Sequence, residues 1–151
     1  MILYLDANAL VKQYVNEPGR SNVGDVLQQA SLIGTALISH AEVVAALAKA
    51  LRMRVLTSES GLSAVAAFRT DWPRLVRLPV TEAVVLRASD FAWQYGLRGY
   101  DAVHLAAACA WSDALGSAVT FATFDRGLWQ AAPRVGLLAW PDDLPALLSA
   151  L

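Results

Sequence analysis

Four acidic residues of this sequence stand at positions where catalytic or metal-binding side chains are common in α/β proteins. Asp6 and Asp125 directly follow short apolar segments that have the composition of buried strands. Glu42 and Asp101 stand at the start of apolar, helix-like segments. Ligands of parallel α/β sheets bind beyond the carboxyl ends of the strands, so these junctions are expected to bring the four carboxylates together.

Such a cluster is electrostatically unfavourable unless a cation neutralises it. Two like charges about 4 Å apart repel each other by roughly 4 kcal/mol at an effective dielectric constant of about 20. Hard divalent cations prefer oxygen ligands and remove that repulsion. Because the sequence has no Cys or His cluster that would favour a softer metal, the set predicts a site for Mg²⁺ or Mn²⁺.

Each of these residues also has a purely structural explanation. Asp6, Asp101 and Asp125 are all of the type that caps the N-terminus of a following helix. Ser39 and Glu42 have the spacing of a capping box, in which the two side chains satisfy each other's backbone N–H groups. The chemical interpretation therefore depends on the set, and capping stays an alternative for each member.

The elements that would position these carboxylates alternate along the chain between apolar strands and helices. The predicted strands cover residues 3–5, 32–39, 75–80, 118–122 and 136–140. The predicted helices cover residues 8–15, 22–30, 41–52, 60–69, 81–95 and 101–112, a short helix from 126, and 144–150. Uniformly apolar strands alternating with helices are typical of a mainly parallel sheet covered on both faces. We therefore expect an α/β fold in one domain that spans residues 1–151.

Composition excludes several other classes of protein. The chain is 56% hydrophobic and 17% charged, which is incompatible with disorder, and its apolar runs are too short for a membrane span of about 18 residues. Its net charge of −1 excludes a generally basic nucleic-acid binder. Cys109 is the only cysteine, so an intrachain disulfide is impossible and a buried structural thiol is expected. No targeting segment is recognisable, so we expect a cytoplasmic protein.

Four motifs resemble those of PIN domains of the VapC toxin family. Residues 4–12, with Asp6 followed by a small residue and Asn8, resemble the first motif, and residues 39–47 resemble the second. Residues 96–108 and 123–132 resemble the third and fourth, and these two together are specific. The first motif departs from the family only in having alanine at position 7, where Thr or Ser is commoner.

The resemblance implies a three-layer α/β/α sandwich and an endoribonuclease that depends on Mg²⁺ or Mn²⁺. Asp6 and Asp101 would be the principal metal ligands, and Glu42 and Asp125 would complete the acidic pocket directly or through water. The resemblance also implies a homodimer and an antitoxin of the VapB type that blocks the site.

Neighbours of the acidic residues suggest supporting roles. Asn8 and Thr123 could orient carboxylates or water from outside the ligand set. Arg98 and Arg126 could contact RNA phosphates, or could form surface ion pairs. His104 is expected to make a hydrogen bond inside a packed helix rather than to act in catalysis.

Two other functions stay open at the level of sequence. One is a non-catalytic module that binds RNA or protein. The other is a magnesium-dependent phosphatase, which also places an aspartate after the first strand, although the segment 6–8 lacks the second aspartate of haloacid-dehalogenase phosphatases. A Rossmann domain is excluded because no glycine-rich turn follows the first strand.

Overall fold

The computed structural model describes residues 1–151 and contains a sheet of five parallel strands. The strands are β1 (Ile2–Leu5), β2 (Leu32–Ala36), β3 (Val76–Leu78), β4 (Val119–Ala122) and β5 (Leu138–Trp140), in the spatial order β3-β2-β1-β4-β5. Leu5 pairs with Ala122 in the register of β1 and β4. The residues that follow these two, Asp6 and Thr123, therefore leave the sheet side by side at its carboxyl edge.

Eight α-helices cover the two faces of the sheet. They are α1 (Ala7–Val11), α2 (Arg20–Gln29), α3 (Ser39–Arg52), α4 (Ser58–Asp71), α5 (Glu82–Tyr95), α6 (Gly99–Leu115), α7 (Arg126–Ala131) and α8 (Leu144–Ala150). Side chains of β1 alternate between two separate apolar cores: Leu3 and Leu5 pack with α1–α4 and α8, whereas Tyr4 packs with α5–α7. This arrangement confirms the predicted α/β/α sandwich. No helix is both long enough and apolar enough to cross a membrane.

Helix α6 lies close against the sheet because small residues form the contact. Ala106, Ala107 and Ala108 are buried along it, and Trp111 covers Gly34 of β2 so tightly that a Cβ at position 34 would lie 2.7 Å from the indole. The close approach fixes the start of α6 beside the carboxyl ends of β1 and β4. Asp101, in the first turn of α6, is thereby held at the same edge as Asp6.

The predicted elements all exist, but several boundaries were wrong. The first helix ends at Val11 rather than at residue 15, because residues 12–14 continue in tighter turns whose N–H groups bond two or three residues back. Strand β2 ends at Ala36, and α3 begins at Ser39 in a segment that was assigned to the strand. Helix α6 begins two residues before Asp101. Boundaries depend on hydrogen bonds that hydrophobic periodicity does not encode.

The thiol of Cys109 is predicted to be unreactive in the folded protein. Its side chain is buried on α6, as the sequence led us to expect, and burial raises the pKa of the thiol to about 11. At pH 8 only about 0.1% of such a group is thiolate, whereas about a quarter of an unperturbed cysteine is. Ellman's reagent should therefore label the native protein more than about 100-fold more slowly than the protein in guanidinium chloride. Rapid labelling without denaturant would contradict the packing of α6.

Candidate active site

Asp6 is buried at the end of β1, and both of its carboxylate oxygens accept hydrogen bonds. The backbone N–H of Ala9 donates to Oδ1 (2.7 Å), so Asp6 caps α1 as the sequence allowed. The hydroxyl of Thr123 donates to Oδ2 (2.5 Å). Burial raises the pKa of Asp6, and the charge of Asp101 raises it further, while His104 and the two hydrogen bonds lower it. A buried carboxylate with a like charge nearby is a group that a cation would stabilise.

Thr123 links Asp6 to Asp125. Its oxygen also accepts a hydrogen bond from the backbone N–H of Asp125 (3.0 Å), which fixes the turn after β4. Asp125 in turn caps α7 by accepting from the N–H of Leu128 (2.9 Å). One buried hydroxyl therefore contacts the carboxylate of Asp6 and the backbone of Asp125, and the supporting role of Thr123 stays a prediction.

Asp101 lies in the first turn of α6 but does not cap it, so that alternative was wrong. The helix starts earlier because Arg98 has extended backbone angles and its carbonyl accepts from the N–H of Ala102 (3.0 Å). The carboxylate of Asp101 accepts instead from Nε of Arg98 (2.7 Å). Nη2 of Arg98 lies 3.7 Å from Asp125, so this exposed arginine bridges two of the four acidic residues.

The predicted capping box of Ser39 and Glu42 was also wrong. The hydroxyl of Thr35 donates to the carbonyl of Leu5 (2.7 Å), so Ser39 Oγ must be the donor in its 2.6 Å hydrogen bond with Thr35 Oγ1. The N-cap position of α3 is Ile38, so the helix has no side-chain cap. The carboxylate of Glu42 accepts no hydrogen bond from the backbone. Its Oε1 accepts instead from Nε2 of His104 (2.8 Å).

His104 makes hydrogen bonds from a packed helix, as the sequence led us to expect. It is buried on α6, as expected of a packed histidine, but its partners belong to other elements. The phenol of Tyr4 lies 2.8 Å from Nδ1. Burial raises the pKa of Tyr4 well above its ordinary value, so the phenol stays protonated. A carboxylate only accepts, so the proton between His104 and Glu42 lies on Nε2, and Nδ1 of the neutral ring accepts from the phenol. The hydrogen bond that Nε2–H of His104 donates to Glu42 fixes the orientation of that carboxylate.

Tyr4→Phe is expected to destabilise the fold by about 1–3 kcal/mol, because it leaves Nδ1 of the buried His104 without a donor. The melting temperature should fall by about 2–4 °C for each kcal/mol. Tyr100→Phe is the matched control, because the Tyr100 side chain is exposed and its hydroxyl reaches water. Equal melting temperatures for wild type and Tyr4→Phe would show that the hydrogen-bond chain through His104 is energetically unimportant.

All four predicted carboxylates line one cavity of about 290 Å³ at the carboxyl edge of the sheet. Asn8, Arg98 and His104 line the same cavity. Thr123 does not line the cavity, but its hydroxyl donates a hydrogen bond to Asp6, which does. Arg126 is outside the cavity lining and forms no ion pair, so its suggested contact with RNA gains no support from the geometry.

The donor chemistry of this cavity fits a hard divalent cation. In their present rotamers, no three acidic or histidine side chains converge on a single point. Mg²⁺ commonly takes only one or two carboxylates directly and keeps several water molecules, so it does not need three converging side chains. Asp6 and Asp101 are close enough for their charges to interact, and carboxylate oxygens without thiols favour Mg²⁺ or Mn²⁺ over softer metals.

Residues 3–133 match the model of the PIN domain family. The chain is 32% identical over 143 residues to the ribonucleases VapC45 and VapC49 of Mycobacterium tuberculosis, and the alignment covers 95% of this chain and 97% of each relative. Two solved structures are similar in fold. PAE2754 from Pyrobaculum aerophilum has a TM-score of 0.65 at 17% identity and covers 99% of this chain and 96% of its own. FitAcB from Neisseria gonorrhoeae has a TM-score of 0.64 at 19% identity, with 91% and 96% covered.

A parallel α/β/α sandwich with an acidic cavity at its carboxyl edge, matched over most of its length by the family model, is a PIN domain. The chain belongs to the PIN domain family and, by its full-length similarity to the two mycobacterial proteins, to its VapC ribonucleases.

Proposed function

We propose that this chain is a ribonuclease toxin that hydrolyses phosphodiester bonds of RNA with Mg²⁺ or Mn²⁺. The observation that carries the proposal is the convergence of Asp6, Glu42, Asp101 and Asp125 on one cavity. These residues are far apart in sequence: Asp6 and Asp125 follow β1 and β4, whereas Glu42 and Asp101 lie in the first turns of α3 and α6. Capping alone does not explain the set, because two of the four, Glu42 and Asp101, cap no helix.

Asp6 and Asp101 would hold the cation, and Glu42 and Asp125 would complete its surroundings directly or through water. A bound divalent cation polarises a phosphoryl oxygen and lowers the pKa of a bound water. Ala9 and Thr123 hold both oxygens of Asp6 in a fixed direction, so little reorganisation is required when the cation binds.

The remaining chemistry falls to side chains that face the cavity. Oε1 of Glu42 accepts a hydrogen bond from His104, which leaves Oε2 to accept a hydrogen bond from the attacking water and to orient it. In-line attack forms a bond from the water oxygen to phosphorus and breaks the bond from phosphorus to the 3′-oxygen, while the water loses one proton to solvent and the 3′-oxygen takes one up from solvent. The products carry a 5′-phosphate and a 3′-hydroxyl. Arg98 is exposed and can leave Asp101 for a phosphate of the substrate.

The direct test is cleavage of single-stranded RNA by the purified protein. We expect cleavage with Mn²⁺ or Mg²⁺ and none in EDTA. Hydrolysis of a small phosphomonoester, assayed in parallel, tests for a phosphatase. Equal RNA cleavage in EDTA would contradict the role of the cation, and metal-dependent hydrolysis of the monoester without RNA cleavage would favour a phosphatase.

We further propose that the chain pairs with an antitoxin of the VapB type. Solved structures of similar fold include VapBC2 from Rickettsia felis bound to a fragment of promoter DNA, with a TM-score of 0.60 at 18% identity over 92% of this chain. A short reading frame beside the gene for this chain should encode the partner, and co-expression should suppress RNA cleavage. The homodimer implied by the resemblance stays a prediction, which light scattering of the free protein would test.

A further inference from the structure

A second cavity of about 680 Å³ adjoins the acidic one, and we call it the α5–α6 groove. Its walls come from one face of α5 and from the first turns of α6: Val85, Ala88, Ser89, Ala92, Tyr100 and Val103. Glu42, Arg98 and Asp101 line both cavities, so the groove is a continuation of the proposed catalytic site. Its volume is within the range of about 300–1,000 Å³ that is typical of small-molecule sites.

Tyr100 is an aromatic residue of the groove whose ring is exposed to solvent. It is 63% exposed and sits directly before Asp101, on a helix that is fixed against the sheet. Trp93, which is 94% exposed, follows Val85 and Ser89 of the groove at intervals of four residues and therefore lies on the same side of α5. Exposed aromatic rings on rigid helices have no stabilising role within the chain, but they are suited to stacking on a flat ligand.

We propose that the α5–α6 groove binds the base of an unpaired nucleotide next to the cleaved phosphate, with Tyr100 stacked on that base. The inference rests on the proposed ribonuclease function and assigns a place beside the acidic cavity to one base of the substrate. A base is joined to its phosphate through one sugar, so a phosphate at Asp6 and Asp101 places a neighbouring base within reach of the groove. Bases in a duplex are stacked inside the helix and would not reach it.

The distribution of charge also fits a nucleotide. Arg98 lies at the mouth shared by the two cavities, where it would meet a phosphate, and the walls beyond it are mostly apolar. The hydroxyl of Ser89 in those walls donates to the carbonyl of Val85 (3.1 Å), which leaves its oxygen to accept from an N–H group of a base. Stacking on an aromatic side chain is available to every base, so the groove would select unpaired RNA and bias the choice of base only through Ser89 and its shape.

The test combines removal of one base from the RNA with removal of the aromatic ring of Tyr100. A single-stranded RNA that the wild type cleaves with Mn²⁺ is prepared intact and with an abasic nucleotide on the 5′ or the 3′ side of the cut. For wild type and Tyr100→Phe, one abasic substitution should lower kcat/KM by roughly 5- to 150-fold, which corresponds to the loss of one stacked base. For Tyr100→Ala the intact RNA should already be a poor substrate, and the abasic RNA should be cleaved at nearly the same rate as the intact one.

Leu62→Ala, on α4 and 73% exposed, is the control for loss of an exposed apolar side chain, and it should retain the full abasic effect. An abasic effect as large in Tyr100→Ala as in wild type would overturn the groove and leave the ribonuclease function intact. A change in oligomeric state alone, seen by light scattering of Tyr100→Ala, would also overturn it, because the groove would then be a contact between copies. Absence of metal-dependent cleavage by wild type would overturn the proposed function and the groove with it.

Discussion

Asp6→Asn is expected to lower kcat/KM for RNA cleavage in Mn²⁺ by more than about 100-fold. Loss of a residue that merely supports a metal ligand typically costs about 10- to 100-fold, and a direct ligand should cost more. The change keeps the shape of the side chain, and asparagine can still accept from the N–H of Ala9 as a helix cap. Its amide can donate to Thr123, whose hydroxyl donates to Asp6 in the wild type. The fold should therefore survive.

The stability of this variant separates a catalytic role from a structural one. Burial and the neighbouring Asp101 both raise the pKa of Asp6, which means that the charged form costs free energy in the fold without metal. Asp6→Asn should therefore melt in EDTA at the wild-type temperature or above it, with an unchanged circular dichroism spectrum. Asp25→Asn, at an exposed position of α2, is the matched control and should retain full activity. Undiminished cleavage by Asp6→Asn would contradict the proposed site.

Residue type and position in the sequence were sufficient to predict the contacts of the site that join residues close together in the chain. Asp6 and Asp125 follow apolar strands, and their capping bonds reach only three residues ahead, so type and position predict them. The same logic failed for Ser39. Thr35, which β2 places against Leu5, competes for the Ser39 hydroxyl, and no local rule describes that competition.

The contacts that orient the site span long stretches of sequence. Glu42 and His104 are 62 residues apart, and Tyr4 and His104 are 100 apart. A histidine three residues after Asp101 indicates only that both lie on the same side of a helix. Which carboxylate that histidine meets depends on how α3 and α6 pack against the sheet. Family resemblance identifies the four acidic positions. The series of hydrogen bonds from Tyr4 through His104 to Glu42 follows only from the three-dimensional structure.

Arg98 shows how the metal-free fold tolerates its acidic cavity. Its guanidinium lies within 4 Å of both Asp101 and Asp125, and the hydrogen bond and charge of Asp101 raise its pKa. The arginine is largely exposed, so each ion pair is screened by water and contributes little stability. A divalent cation bound to the same carboxylates would neutralise their charge more strongly than the guanidinium of Arg98 does. Binding of the cation should therefore be visible as a gain in stability.

Mn²⁺ is expected to raise the melting temperature of the wild type by roughly 5–11 °C at about 100 times its dissociation constant. Binding to the folded state alone contributes about 2.7 kcal/mol at that concentration, and each kcal/mol moves the midpoint by about 2–4 °C for a chain of this size. The shift is measured against the same protein in EDTA. Asp25→Asn should show the full shift, because its carboxylate is outside the acidic cavity.

Asp101→Asn should reduce that shift to about half or less without lowering stability in EDTA by more than about 1 kcal/mol. Its charge repels the buried Asp6, and its ion pair with the exposed Arg98 is worth about 0–1 kcal/mol, so the two effects of the substitution largely cancel in the absence of metal. If binding weakens at least tenfold, the gain at the same Mn²⁺ concentration falls to about half or less. Because Asp101 does not cap α6, a loss of helix capping cannot produce this result. Equal shifts in Asp101→Asn and wild type would show that Asp101 is not a ligand, and a shift lost equally in Asp25→Asn would assign the gain to binding of Mn²⁺ outside the cavity.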